Sequence, residues 1–243
     1  MTTTATPRRA AALAKIAAMD SLSSSFDFDA STGEIWIDAE IGDRPGEISS
    51  RGMRDAIKKI GPKKLTIYLN SGGGSVTEGW SIYRQLVGHR AGVTTIVSPL
   101  AASMAAVILQ AGQERLVDPN AIVMVHNPWT STSGNADELQ TSIDLLRKIE
   151  TQMLELFSKR TGLDKPEVSR MLTAETWLDA GEAIQLGFAD GLTSTVNAKA
   201  SSVKRVRLAT DSPATIAARW PRRSEAKSRS AWVKSKLIQH GVL

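Results

Sequence analysis

Ser103 and His126 are the residues through which this chain could do hydrolytic chemistry. A neutral imidazole takes the proton from a serine hydroxyl as its oxygen attacks a carbonyl carbon. Few other pairings are on offer. The chain has no cysteine and three histidines, which removes disulfides, thiolate ligands and thiolate nucleophiles. The histidines are dispersed, with no H-x-x-x-H spacing, so no zinc site is expected. His89 follows a helical stretch beside Arg90, and His240 lies close to the C-terminus. His126 alone follows a strand-like run, AIVMVH (Ala121–His126), where α/β sheets present functional side chains. The ordinary reading of such a histidine is a satisfied one, in or beside the core.

Ser103 lies in AASMAA. A serine there ordinarily packs or caps. A strand, a tight turn and a helix would instead place its hydroxyl at a helix N-terminus. Free N–H groups and the positive dipole end favour a developing oxyanion there. Ala101, Ala102 and Ala105 leave room for a substrate backbone. NSGGGSV (Asn70–Val76) is a second such place, a plain tight turn or an oxyanion hole. It is not a P-loop, because Trp80 stands where the phosphate-binding lysine is required. It is not a dinucleotide fingerprint either, because Thr77 takes the third glycine position.

The elements that must position these residues alternate. GEIWIDAEIG (Gly33–Gly42) and KLTIYLN (Lys64–Asn70) read as strands, and MRDAIKKIG as a helix closed by Gly61. Ser75 and Glu78 form a capping-box pattern for a helix through about Val87. GVTTIV is a strand, and AASMAAVILQAG a buried helix closed by Gly112. From Asp137 to Lys159 the apolar Leu139, Ile143, Leu146, Ile149, Met153 and Leu156 step by three or four, a long amphipathic helix ended by Gly162. A short helix follows Asp164 and Pro166, and Asp179 with Glu182 opens another that Gly187 stops. This alternation indicates an α/β fold with a largely parallel sheet. Ala91 to Gln113 carries no charged side chain and is long enough to cross a bilayer. Pro99 and Ser103 would break a spanning helix, so no membrane span is expected.

Hydrophobic residues make up 42% of the 243, enough for a sizeable core. The net charge of +5 is uneven. From Asn197 onward there are eleven Lys and Arg against Asp211 and Glu225, so the body is mildly acidic. Lys15 interrupts the only apolar run at the N-terminus, so no secretory signal is expected. The expected organisation is a flexible lead-in over 1–25 with a short helix at Ala10–Met19, a folded domain over 26–196, and a basic tail over 197–243. Trp220 and Trp232 interleave with bases in that tail, but a solvated tail or docking peptide is favoured over nucleic-acid binding.

Three separated segments, LNSGGGSVTEGWSIY, AASMAA and MVHNP, followed by ETWLDAGEAIQLGFADG, resemble the Clp protease proteolytic subunit from about Ile35 to Leu192. HNPWTSTSGNADEL and AETW resemble the phage head-maturation branch. The resemblance implies a ClpP/crotonase-like spiral of β-β-α units with a protruding handle helix. It implies Ser103 as nucleophile and His126 as general base, with the N–H groups of Gly74 and Met104 as oxyanion hole. A peptide would lie beside Gly73, Ser75 and Val76. Alignment places Glu175 where the family typically has Asp, with Asp179 as the competing candidate. Gly72 stands where Pro is frequent, and Pro99 where Gly is common. No cofactor is implied. The implied partners are protein or peptide substrates, copies of the chain in heptameric or doubled rings, a separate ATP-dependent unfoldase, and capsid, scaffold or portal proteins. The implied location is the host cytoplasm or the phage prohead. Two rival expectations stand beside the endopeptidase: a catalytically silent ring or scaffold subunit, and a crotonase-like acyl-CoA enzyme.

Overall fold

Alternating burial builds the central sheet. The computed structural model describes residues 27–193; the helix expected at Ala10–Met19 and the basic tail from Asn197 lie outside them. In β2 (Glu34–Ile37) and β3 (Leu65–Ser71) every second side chain is buried, so Ile35, Ile37, Leu65, Ile67 and Leu69 enter the core. β1 (Phe28–Asp29) lies antiparallel to β2 at the sheet edge. Helices α1 (Ser50–Ile60) and α2 (Val76–Val87) carry the chain from β2 to β3 and from β3 to β4 (Val93–Ala102), and the three strands pair in parallel. α1 buries Met53, Ala56 and Ile60 and stops at Gly61, whose φ of 77° needs glycine. The box expected at α2 is half built. Ser75 accepts from the Glu78 N–H, but the Glu78 carboxylate accepts from the Ser50 N–H, tying the start of α1 to the start of α2.

β4 is shared between two neighbours. Its first half, Thr94–Val97, pairs with β5 (Glu114–Val117); its second, Leu100–Ala102, pairs with β6 (Ile122–Val125). Pro99 is exposed between the halves, where the register with β3 also shifts. Proline has no N–H, so no ladder bond is lost at that point. β6 pairs antiparallel with β7 (Thr176–Asp179), and β8 (Gly191–Leu192) pairs in parallel with β5. The sheet order is β1-β2-β3-β4-β5-β8, with β6 and β7 branching from β4.

The uncharged run from Ala91 to Gln113 is therefore strand followed by buried helix. α3 (Met104–Leu109) has all six residues buried. This corrects the expected helix limits: Ala101 and Ala102 complete β4, because both pair with β6, and α3 ends before Gly112. No helix among the described residues is long and apolar enough to cross a membrane.

α4 (Ala136–Thr161) is the expected long helix, opened by a complete capping box between Asn135 and Glu138 and closed by Gly162 at φ 80°. Its second half buries Met153, Leu156 and Phe157, while Leu139, Ile143 and Leu145 in its first half are exposed. That half projects as a handle. α5 (Lys165–Thr173) is capped by Asp164, and α6 (Ala180–Gln185) by the expected pair Asp179 and Glu182. The architecture is the mixed α/β one that the alternation indicated.

Candidate active site

Ser103 is the one residue between β4 and α3, at φ 56° and ψ −120°. A side chain at positive φ costs roughly 1–3 kcal/mol and persists only where its surroundings enforce it. Here the Ser103 N–H donates to the Met124 carbonyl of β6 at 2.9 Å, which turns the hydroxyl outward from the strand end. Two residues beyond Met124, just past β6, stands His126. Its Nε2 lies 2.8 Å from Ser103 Oγ. With the proton on Nδ1, Nε2 accepts from the hydroxyl, the arrangement that general-base activation of an alcohol requires.

The glycine run packs directly against this pair. The Ile41 N–H donates to the Gly73 carbonyl and the Ser75 N–H donates to the Ile41 carbonyl, each at 2.7 Å. This bridge leaves the Gly74 N–H on the other side. Gly73 and Gly74 have φ of 99° and 136°. A Cβ on Gly73 would lie 2.6 Å from Ser103 Cβ and 2.9 Å from the Met104 nitrogen. Met104 is the first residue of α3, so its N–H has no acceptor within the helix. Gly73→Ala is accordingly expected to displace the nucleophile. We expect kcat/KM for peptide hydrolysis to fall by about 10²-fold or more with the far-ultraviolet dichroism retained, since an ångström of misplacement carries a cost of that order.

Ser103 and His126 open into a cleft of about 490 Å³. Its walls are largely apolar, formed by Val76, Met104, Met124, Pro128, Trp129 and Met153, with Gly72, Gly73 and Gly74 alongside. Ser75 does not line it; its hydroxyl serves the α2 cap and meets Thr77 Oγ1. Glu40 is the single acidic side chain among the lining residues. Nearby, just past β2, burial pushes the Asp38 carboxyl above its ordinary value; a hydrogen bond with Asn70 opposes this and the charge of Asp27 adds to it.

Glu175 lies one step beyond the Val125–Thr176 pair of the antiparallel β6–β7 ladder, opposite His126 in register. It has φ 50°, is exposed, and accepts from the Trp177 indole N–H at 3.3 Å. No hydrogen bond joins its carboxylate to the imidazole in this arrangement. Asp179 pairs with Ile122 at the far end of β6, and its carboxylate accepts from the Glu182 N–H at 2.8 Å.

Comparison with known proteins converges on the same segments. The Clp protease family matches residues 55–196, which include the glycine run, Ser103, His126 and Glu175. The chain belongs to the Clp protease family. Members are serine-type peptidases, and curated relatives carry the name of proteolytic subunits. The ATP-dependent Clp protease proteolytic subunit 1 of Streptomyces coelicolor is 34% identical over 135 residues, covering 55% of this chain and 62% of the relative. The protein of the same name from Leifsonia xyli subsp. xyli is 30% identical over 159 residues, 64% of this chain and 80% of the relative. The ATP-dependent Clp protease proteolytic subunit of Oltmannsiellopsis viridis is 36% identical over 130 residues, 53% and 67% of the two chains.

Within this Clp protease chain, some residues around the site were not marked by the sequence as part of it. Asn127 fixes the segment after His126 by donating its N–H to the Leu172 carbonyl at 3.0 Å. Met124 and Trp129 flank His126, while Met153 reaches the cleft from α4 and Glu40 from the residues after β2. Only the fold brings these segments together, so spacing could not have marked them.

Proposed function

We propose that the chain is an endopeptidase in which Ser103 attacks a peptide carbonyl and His126 takes the hydroxyl proton. The observation that carries this reading is the 2.8 Å contact between His126 Nε2 and Ser103 Oγ at the mouth of the cleft. The N–H groups of Gly74 and Met104 hold the tetrahedral oxyanion. His126 then protonates the leaving amine, and water repeats the sequence on the acyl-enzyme. The extended backbone of the substrate lies along Gly73 to Val76, with the methionine-rich walls facing the carbon chains of its side chains. A fluorophosphonate probe tests this directly. Labelling at Ser103, lost in Ser103→Ala, supports the reading; an intact assembly that never labels favours a silent scaffold subunit.

Glu175 is our choice for the acid that orients the imidazole, supported by its position opposite His126. A turn of its side chain away from the Trp177 indole is required to reach Nδ1. Glu175→Gln is expected to lower kcat on the order of 10²- to 10⁴-fold, the range for loss of a triad carboxylate. Asp179→Ala is expected to cost about 1 kcal/mol of stability as a lost helix cap, with little change in kcat. Peptide hydrolysis and thermal melting of the two variants separate the roles.

Exposed Leu139, Ile143 and Leu145 on the handle support self-association, with rings of copies enclosing the clefts. The relatives' names include ATP dependence, and the glycine run here lacks the lysine of a P-loop, which supports a separate ATP-dependent unfoldase as a partner. The likeness of the segment from His126 to Leu139, and of AETW, to the phage head-maturation branch supports capsid or scaffold proteins as substrates, cut in the host cytoplasm or the prohead.

A further inference from the structure

We propose that Glu40 makes the cleft selective for substrates bearing a lysine or arginine next to the cut bond. The proposal rests on the peptidase reading given above and names the substrate class of that same site. Glu40 is the only acidic side chain among the residues lining the cleft, whose other walls are glycines and apolar groups apart from Ser103 and His126. It immediately precedes Ile41, the residue whose backbone clamps Gly73 and Ser75. Its Cγ lies 3.0 Å from the position that a Cβ on Gly74 would occupy, so the side chain lies against the peptide of the proposed oxyanion donor. No basic side chain among the described residues forms an ion pair with it.

Two physical consequences follow. Glu40 is exposed at the edge of the cleft, so its carboxylate attracts a cation through a solvent-screened contact whose strength falls with salt. The aliphatic stem of a lysine or arginine suits the methionine and Trp129 walls, leaving its charged end free to meet Glu40. The second consequence concerns the reaction itself. A negative charge beside the Gly74 peptide opposes the negative charge that develops on the substrate oxygen. A bound cation cancels that opposition, and it does so most where the oxyanion is most developed. The preference for a basic residue therefore reaches kcat as well as KM, since the compensated charge exists chiefly in the transition state.

Matched fluorogenic peptides, alike except for Lys, Gln or Glu at one of the positions flanking the cut bond, provide the test. At one such position wild-type protein is expected to favour Lys over Glu by about tenfold or more in kcat/KM, a discrimination typical of one charge contact. Added salt is expected to shrink the ratio. Glu40→Gln, nearly isosteric, is expected to bring the three peptides within about threefold of one another, and Glu40→Lys to invert the order. The ratio between peptides is the readout, so any common loss of rate cancels, and Glu40→Gln carries the test if Glu40→Lys does not fold. A flat wild-type profile at every position, or a Lys-over-Glu ratio that persists in Glu40→Gln, overturns the proposal. In either case, if Ser103 labels with a fluorophosphonate and neutral peptides are cut, the peptidase reading survives. If no peptide is cut and Ser103 never labels, the peptidase reading falls and takes this selectivity with it.

Discussion

Ser103→Ala is expected to lower kcat by roughly 10⁴- to 10⁶-fold, and His126→Ala by a comparable factor, with the double variant little worse than either single one. The reason lies in the unit the two side chains form. Without the hydroxyl the imidazole has no proton to remove, and without the imidazole the hydroxyl is a weak nucleophile at neutral pH. Three purified variants assayed on one peptide, with burst titration of active sites, give the cycle. Multiplicative losses would show that the pair does not act together. Neither variant is expected to unfold the protein, because the only hydrogen bond lost is the 2.8 Å contact at a partly buried site. Thioester hydrolysis surviving in Ser103→Ala, with no peptide ever cut, would replace the peptidase by a crotonase-like enzyme.

Arg115→Ala is expected to have the largest effect on stability. The Arg115 side chain is 1% exposed and meets both oxygens of Asp190, through Nη2 at 2.6 Å and Nε at 3.0 Å. Nη1 donates to Gln110 Oε1 at 2.6 Å and to the Gly187 carbonyl at 2.9 Å. These bonds tie β5 to the residues following α3 and α6 and to the approach to β8. Truncation removes the donor to the Gln110 amide oxygen and the Gly187 carbonyl and the guanidinium from Asp190, which keeps the residue-115 backbone N–H, at a cost of about 3–5 kcal/mol. For a domain of this size that lowers the apparent melting temperature by roughly 6–20 °C, readable by circular dichroism. Arg115→Met combined with Asp190→Leu is expected to recover part of the loss, because neither half of the ion pair is then left without the other.

The contrast between these two residues shows what was legible in the chain. Ser103 and His126 could be found because scarcity and strand–helix punctuation limited the candidates, and because motifs in register resemble one family. Arg115 could not. An arginine in the charged stretch QERLVD reads as solvent-facing, and β5 itself is only four residues long. β7 and β8 were missed for the same reason of length, since they are strands only by pairing with β6 and β5. The long helices were plain, because α4 repeats its apolar spacing over many turns and carries strong caps at both ends. The start of α3 was misplaced by three residues, as alanines at 101 and 102 favour a helix locally whereas their pairing with β6 holds them extended. Glu40 looked like the polar half of an alternating strand; its place in the cleft depends on a bridge from Ile41 to Gly74, far along the chain.

The divided strand β4 has a consequence for how the protein is made. Its second half waits for β6, and β6 in turn waits for β7, whose first residue lies more than seventy positions beyond the start of that half. During synthesis the longest uncharged piece of the chain therefore emerges with β3 and α2 already made but before β6 and β7, which complete its shelter. Crowded translation sites and high expression are the conditions under which such a piece meets its counterpart on another ribosome, and they favour clumping over maturation.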